Sequence, residues 1–128
     1  METKQKIILQ DESFAIYGAI FEVHKILGCG FLEKVYQEAL EEELRQRNIP
    51  FEREKKIKII YKNKILNQEY FADFVCYNSI ILELKAVESI LDIHKTQLLN
   101  YLKATNMQLG ILVNFNEEYI VPYRIING

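Results

Sequence analysis

Cysteine is scarce in this chain. Its two copies, Cys29 and Cys76, stand far apart with no CxxC spacing, which counts against a disulfide scaffold or a structural zinc site and suits a reducing compartment. Long apolar runs are missing too. No segment nears the roughly 20 residues needed to span a bilayer, and the opening METKQKIILQDESF has neither an h-region nor a small-residue cleavage site. The expectation is a cytoplasmic protein with no membrane partner. Charge of one sign is also lacking: 16 Lys and Arg face 18 Asp and Glu, a formal net charge of -2. That disfavours a strongly basic, charge-driven nucleic-acid binder and leaves room for a local basic patch. A metal site also consumes acids, so the acidity that a polyanion meets is smaller than the count suggests. No Ser-His-Asp arrangement, P-loop or Rossmann glycine motif is present.

What is present is an ordinary globular composition, 49% apolar and 27% charged over 128 residues, which predicts one domain, residues 1–128, with a real core. Asp11 or Ser13 is expected to cap a first helix ending near Leu27, with Ile16, Ile20, Val23 and Leu27 as its buried stripe. Gly28-Cys29-Gly30 breaks it. A second helix is expected from Phe31 to about Arg47, carrying Val35, Ala39, Leu40 and Leu44.

The period then changes. Phe51 to Tyr61, Ile65 to Cys76 and Ile80 to Val87 read as strands joined by turns at Lys62-Asn63-Lys64 and Tyr77-Asn78-Ser79. Ser89 or Asp92 starts a helix to about Thr105. Gln108 to Asn114 and Tyr119 to Ile126 are further strands, with Pro122 marking an edge or bulge. The order α-α-β-β-β-α-β-β predicts an α/β or α+β domain. An antiparallel meander and one parallel crossover would form a mixed central sheet flanked by helices.

Three charged residues stand in strands that otherwise read as core. Asp73 lies in FADFVC, and Glu83 and Lys85 lie in IILELK. Apolar strands tolerate carboxylates and an ammonium only when something compensates them. Alternation puts Ile80, Leu82, Leu84 and Ala86 on one face, and Ile81, Glu83, Lys85 and Val87 on the other. It puts Asp73 with Phe71 and Val75. Pairing through the turn at Tyr77-Asn78-Ser79 sets Asp73 near Glu83, where like charges need a cation between them. Two carboxylates beside a lysine suit metal-assisted phosphodiester hydrolysis, with Mg²⁺ or Mn²⁺ on the acids and Lys85 orienting water or neutralising developing charge. A plain Glu83–Lys85 salt bridge on a half-exposed strand is the alternative.

Two further groups point at the same place. Gln97 and Tyr101 share a helix face at i and i+4, or else are a solvent-facing Gln and a half-buried Tyr. Glu33 and Tyr36 follow Gly30 on the second helix's first turn, where Glu33 also suits the helix dipole. His24 and His94 have no acid or cysteine at zinc-ligand spacing. Arg53, Lys55, Lys56 and Lys58 make the first strand's edge basic, which would either contact phosphates or guard the edge against self-pairing.

Asp73 followed by Glu83-x-Lys85 resembles the PD-(D/E)XK nuclease signature, and Gly30-x-x-Glu33-x-x-Tyr36 resembles the motif of the GxxExxY protein family placed in that superfamily. Ala72 stands where the signature's proline would be, a position that carries no ligand. Gln97-x-x-x-Tyr101 is similar to the QxxxY motif of RecB-like nucleases, and Glu33 to the helical acid of several branches, Holliday-junction resolvases included. The resemblance implies a restriction-endonuclease-like core, with Asp73, Glu83 and Glu33 as metal ligands and Lys85 as the catalytic lysine. It adds Gln97 to the catalytic group, and Tyr36 and Tyr101 to the substrate-binding residues. It implies a Mg²⁺- or Mn²⁺-dependent nuclease acting on nucleic acid, DNA ahead of RNA. A homodimer would suit a duplex, which has two strands to cut. The rival expectations are a catalytically inactive nuclease-fold module that binds nucleic acid or a protein partner, and an interaction protein whose acids are surface charges.

Overall fold

Two glycines at positive φ, Gly28 (69°) and Gly30 (103°), let the chain leave one helix and enter another where a Cβ would be strained. The computed structural model describes residues 8–128. Helix α1, Gln10–Leu27, buries Ile16, Ala19, Ile20 and Val23. It starts at Gln10 after Leu9 in the left-handed region, with no side-chain cap. The expected caps do other work: Asp11 sits in the first turn, and Ser13 is buried, its hydroxyl accepting from Arg124 at 2.6 Å.

Helix α2 runs Glu33–Gln46. The expected start at Phe31 is too early, because Leu32 is still extended. Its buried ridge is Tyr36, Leu40 and Leu44, while Val35 is 38% exposed. Val35 lies one residue off the ridge at i, i+4, i+8 and turns toward solvent.

The strands are β1 Phe51–Ile57, β2 Ile60–Tyr61, β3 Lys64–Ile65, β4 Tyr70–Cys76 and β5 Ile80–Lys85. Helix α3, Asp92–Thr105, then leads to β6 Leu109–Asn114 and β7 Tyr123–Ile126. The five-stranded sheet has the order β1-β4-β5-β6-β7, with β5 and β6 parallel and the other pairs antiparallel. The meander and the crossover are as expected. Two of the expected long strands are not continuous, since β2 and β3 peel away as a separate hairpin. The last strand begins just after Pro122, on the sheet edge. At α3 neither Ser89 nor Asp92 is the cap: His94 Nδ1 accepts the Leu91 amide at 2.9 Å, and the helix begins at Asp92.

Helices α1 and α2 cover one face of the sheet, over Phe74, Ile80, Leu82, Leu84, Ile111 and Val113. Helix α3 covers the other, where Leu98 and Leu102 meet Ile57, Ala72, Val75, Ile81 and Leu112. The seat of α3 is tight. A Cβ on Gly110 would lie 2.8 Å from Leu98 Cγ, so only glycine lets α3 approach the sheet this closely. No helix among the described residues is long and apolar enough to cross a membrane.

One irregularity positions everything that follows. Phe51 packs under α1 and α2 while Ile57 packs under α3, although residues of the same parity on a regular strand share a face. Glu54 between them has φ 53°. The β1–β4 register passes from Arg53↔Phe74 to Lys55↔Ala72 and skips Glu54 and Asp73. Strand β4 shows the same slip, since Ala72 and Val75 both face α3. The expectation that Asp73 shares a face with Val75 is therefore corrected: the pleat reverses at Asp73.

Candidate active site

The β4–β5 ladder is regular from Cys76↔Ile80 to Phe74↔Leu82 and stops there. The next pair would be Asp73 and Glu83. Here side chains replace the backbone ladder. The Asp73 amide donates to Glu83 Oε2 at 3.0 Å, and the Leu84 amide donates to Asp73 Oδ2 at 2.8 Å. Each carboxylate satisfies a donor on the opposite strand, which holds the two strands apart at a fixed spacing and sets the two acids side by side. The second oxygen of each is left free for another partner.

Burial is the main electrostatic fact. It pushes Glu83 up to about 7, helped by the charge of Asp73 and opposed by the Tyr70 hydroxyl, the Asp73 amide and Lys85. Asp73 is also raised, again by burial first. The Leu84 amide and the ammonium groups of Lys85 and Lys34 work against that rise, and Glu33 adds to it. Among the described residues neither carboxylate is ion-paired within 4.0 Å. The two acids repel one another without a cation between them.

Glu83 and Lys85 share the α3 face of β5, as alternation requires. They line a cleft of about 60 Å³ with Tyr70, His94, Gln97 and Tyr101. Gln97 and Tyr101 thus lie on the Glu83 and Lys85 side of the sheet. Gln97 is at the same time solvent-exposed and Tyr101 half-buried, so the placement fits both expected readings. Asp73 opens on a second cleft of about 310 Å³ with Glu33, Lys34 and Gln37. Glu33 is exposed on α2. No group of three His, Cys, Asp or Glu among the described residues is gathered closely enough to hold a metal ion unaided.

Tyr36 is placed differently from the rest. It is fully buried, stacks on Phe115 (centroids 4.6 Å apart) and donates to the Gly28 carbonyl at 2.5 Å. It also accepts the Phe31 amide at 3.3 Å. Its place is to hold the turn that delivers Glu33, not to face solvent.

Two residues matter here that sequence reasoning did not assign. Tyr70 stacks face to face on Tyr101, and its buried hydroxyl faces Glu83, close enough to favour the carboxylate but without a hydrogen bond of normal length. Its phenol is held well above the usual range by burial and by the charge of Glu83. Asn114 is fully buried and ties down the chain beyond Lys85, accepting the Val87 amide at 3.0 Å and donating to the Val87 carbonyl at 2.9 Å. Only an asparagine closing an otherwise apolar strand hinted at it. The histidines have structural partners: His94 caps α3, and His24 Nε2 lies 2.7 Å from the Glu117 carbonyl.

Residues 10–124 match the sequence model of the PD-(D/E)XK nuclease superfamily. The chain belongs to this superfamily. The chain is also similar in structure to the chain described as "Crystal structure of SSO0001", with a TM-score of 0.60 and 25% identity over 92% of this chain. The present chain spans 59% of that chain's length. No curated protein matches. Membership in a nuclease superfamily and the mixed sheet flanked by helices support a restriction-endonuclease-like fold.

Nucleases of this PD-(D/E)XK type typically use divalent metals, and the residues present fit such an ion. Two half-buried carboxylates lie side by side with one oxygen each outside the strand-to-strand bonds, and the ammonium groups of Lys85 and Lys34 act on them without pairing with either. They are hard oxygen donors, the set that Mg²⁺ and Mn²⁺ favour, with water filling the remaining positions.

Proposed function

We propose that this chain is a Mg²⁺- or Mn²⁺-dependent nuclease that hydrolyses phosphodiester bonds, with DNA the first substrate to test. The observation that carries the reading is the reciprocal bonding of Asp73 and Glu83 at the point where β4 and β5 part, with Lys85 one same-face position further along β5. Asp73 and Glu83 would hold the ion, and Glu33 would add a third acid from α2. When bound there, such an ion would supply Lewis acidity to a phosphate oxygen and to water.

The remaining chemistry belongs to the chain. The Lys85 ammonium, in the same cleft as Glu83, neutralises negative charge as it builds on the phosphate oxygens. Gln97 offers an amide donor from α3 to water or to a phosphate oxygen. Tyr101, stacked on Tyr70, walls the lysine side and limits water. Tyr36 acts through the turn that carries Glu33. The GxxExxY likeness of that turn is consistent with this division of labour.

The test is incubation of the purified chain with labelled single-stranded, duplex and branched DNA and with RNA, in Mn²⁺, Mg²⁺ or EDTA. Cleavage that requires metal and disappears in Asp73→Asn and Lys85→Ala is the expected result. Nucleic-acid binding without cleavage, unaffected by either substitution, would replace the nuclease with an inactive binding module.

A further inference from the structure

The segment from Lys58 to Gln68 contains three lysines and no acid. Strands β2 and β3 form its centre, joined by a two-residue turn in which Lys62 (φ 48°) and Asn63 (φ 68°) are both left-handed, the type I′ geometry of tight hairpins. The hairpin stands off the sheet. Ile60, Tyr61 and Ile65 are 64%, 60% and 54% exposed, and all of residues 60–65 lie in solvent. A free two-stranded hairpin is marginal by itself, so three large apolar side chains held in water are not accounted for by folding.

Its charges are also unspent. Elsewhere among the described residues Lys34, Arg45, Arg47, Arg53, Lys55 and Lys56 each engage a carboxylate, while Lys25, Lys85, Lys95, Lys103 and Arg124 stand apart from one another without such a pair. Of these residues, only in the hairpin segment do three unpaired lysines fall within seven residues. Among the described residues Lys58, Lys62 and Lys64 engage none. Tyr61 and Lys64 are cross-strand partners and so share a face, and Lys62 Nζ lies 5.6 Å from the Tyr61 ring centroid. An exposed ring with the Lys62 ammonium over one face and Lys64 beside it matches a strand of nucleic acid, with a base on the open face of the ring and phosphates on the amines. The position suits this. The root of the hairpin is closed by the Ile57↔Tyr70 pair, and Tyr70 lines the Glu83 cleft. Asp73 follows three residues further along β4, roughly 10 Å from the root at the usual strand rise. Tyr61 lies four residues beyond Ile57, at most roughly 13 Å from it on the other side. The span between them is a few nucleotides.

We propose that the hairpin 58–68 grips the substrate strand beside the cut. Lys58, Lys62 and Lys64 take phosphates, and Tyr61 stacks on an unpaired base. The substrate class is then nucleic acid with a single-stranded or locally unstacked segment within a few nucleotides of the scissile bond. The proposal rests on the nuclease reading above and names the part of that substrate the site itself does not touch.

The test is binding, by fluorescence anisotropy in EDTA over a range of salt, of a labelled single strand and of its duplex. Replacing all three lysines by alanine is expected to weaken single-strand binding about 10-fold or more and to reduce the magnitude of the salt slope by about 2, near 0.7 per lost phosphate contact. Tyr61→Ala is expected to weaken the single strand about 5- to 100-fold, Tyr61→Phe to restore it, and the duplex to change less. Lys62→Glu serves as a single-site check should the triple variant fold poorly. Unchanged affinity and salt slope in the lysine variants, or a Tyr61→Ala that binds as the unaltered chain does, overturns the proposal. The two readings fail separately. Cleavage lost in Asp73→Asn alongside hairpin variants that bind normally removes only the hairpin. Hairpin-dependent binding by a chain that never cleaves upholds the grip and removes the nuclease.

Discussion

Asp73 and Glu83 each accept the backbone amide of the other's strand, Asp73 N–H to Glu83 Oε2 at 3.0 Å and Leu84 N–H to Asp73 Oδ2 at 2.8 Å. The acids are therefore structural where the ladder ends and mutually repulsive because they are close. Replacing one charge while keeping its acceptor separates the two roles. Asp73→Asn retains an oxygen for the Leu84 amide, so the metal-free protein is expected to keep or slightly raise its melting temperature near pH 8. Its cleavage rate is expected to fall at least 100-fold. A melting temperature several degrees lower would show that the charge itself holds the strands.

The raised Glu83 gives a pH signature in the metal-free protein. Its carboxyl lies at about 7 in the fold against an ordinary 4.5. Between those values the folded state holds a proton that the unfolded chain has released, so stability falls as pH rises through that window. Asp73 is shifted the same way. Thermal melting in EDTA is expected to give a higher melting temperature at pH 5 than at pH 8, a loss on the order of 2 kcal/mol from the Glu83 shift. Glu83→Gln should flatten the profile. Stabilisation by Mn²⁺ should grow over the same interval, since the ion takes the deprotonated form. A profile that rises from pH 5 to pH 8 and is unchanged by Glu83→Gln would contradict the assignment.

How much of this could be read from the residues follows from where the chain is regular. The face shared by Glu83 and Lys85 was legible because β5 is a regular strand between β4 and β6. The face of Asp73 was not, because Glu54 at φ 53° and the slip at Asp73 reverse the pleat. A glutamate carries no signal for the left-handed region. The hairpin turn at Lys62-Asn63 was legible, but not that its strands leave the sheet, since isoleucines at residues 59, 60 and 65 read as core. The place of Tyr36 is illegible for a related reason. A motif tyrosine beside an acid suggests a substrate contact, whereas burial against Phe115 makes it the brace of the α1–α2 turn.

Lys85 is expected to separate chemistry from ion binding. It lines the cleft with Glu83, yet makes no ion pair within 4.0 Å among the described residues. Lys85→Ala should lower cleavage by about 100- to 1,000-fold, the scale of a lost electrostatic stabiliser. It should leave the Mn²⁺-induced rise in melting temperature in place. Loss of that rise would assign Lys85 to building the ion site instead.

Gly110 tests how α3 is seated, and with it the positions of Gln97 and Tyr101. A Cβ at Gly110 would meet Leu98 Cγ and Cδ2 at 2.8 Å, and Leu98 is 1% exposed. Overpacking of this kind costs about 1–3 kcal/mol, so Gly110→Ala is expected to lower the melting temperature on the order of 5 °C. It should also lower cleavage by displacing α3 from Lys85. Gly110→Ala with Leu98→Ala should recover part of the seat and part of the activity. Full stability in Gly110→Ala alone would show that α3 has slack there.

Asn114 is the strongest case for a positioning residue outside the cleft. Its fully buried amide accepts from Val87 and Asn116 and donates to the Val87 carbonyl, pinning the chain two residues beyond Lys85. Asn114→Ala leaves the half-buried Val87 amide and carbonyl and the Asn116 amide to find new partners. The cost is expected at about 2–3 kcal/mol, a melting temperature lower on the order of 10 °C. The decisive readout is a split that general instability would not produce. Well below the melting temperature, the variant should still gain stability from Mn²⁺, because Asp73 and Glu83 hold one another through β4 and the start of the Leu84 peptide. Its cleavage should fall toward that of Lys85→Ala, because the lysine's stretch of backbone is no longer fixed. Asn114→Asp should recover the acceptor bonds alone and fall between the two. If Asn114→Ala cleaves normally once corrected for the fraction folded, Lys85 is held by β5 and β6 pairing without Asn114.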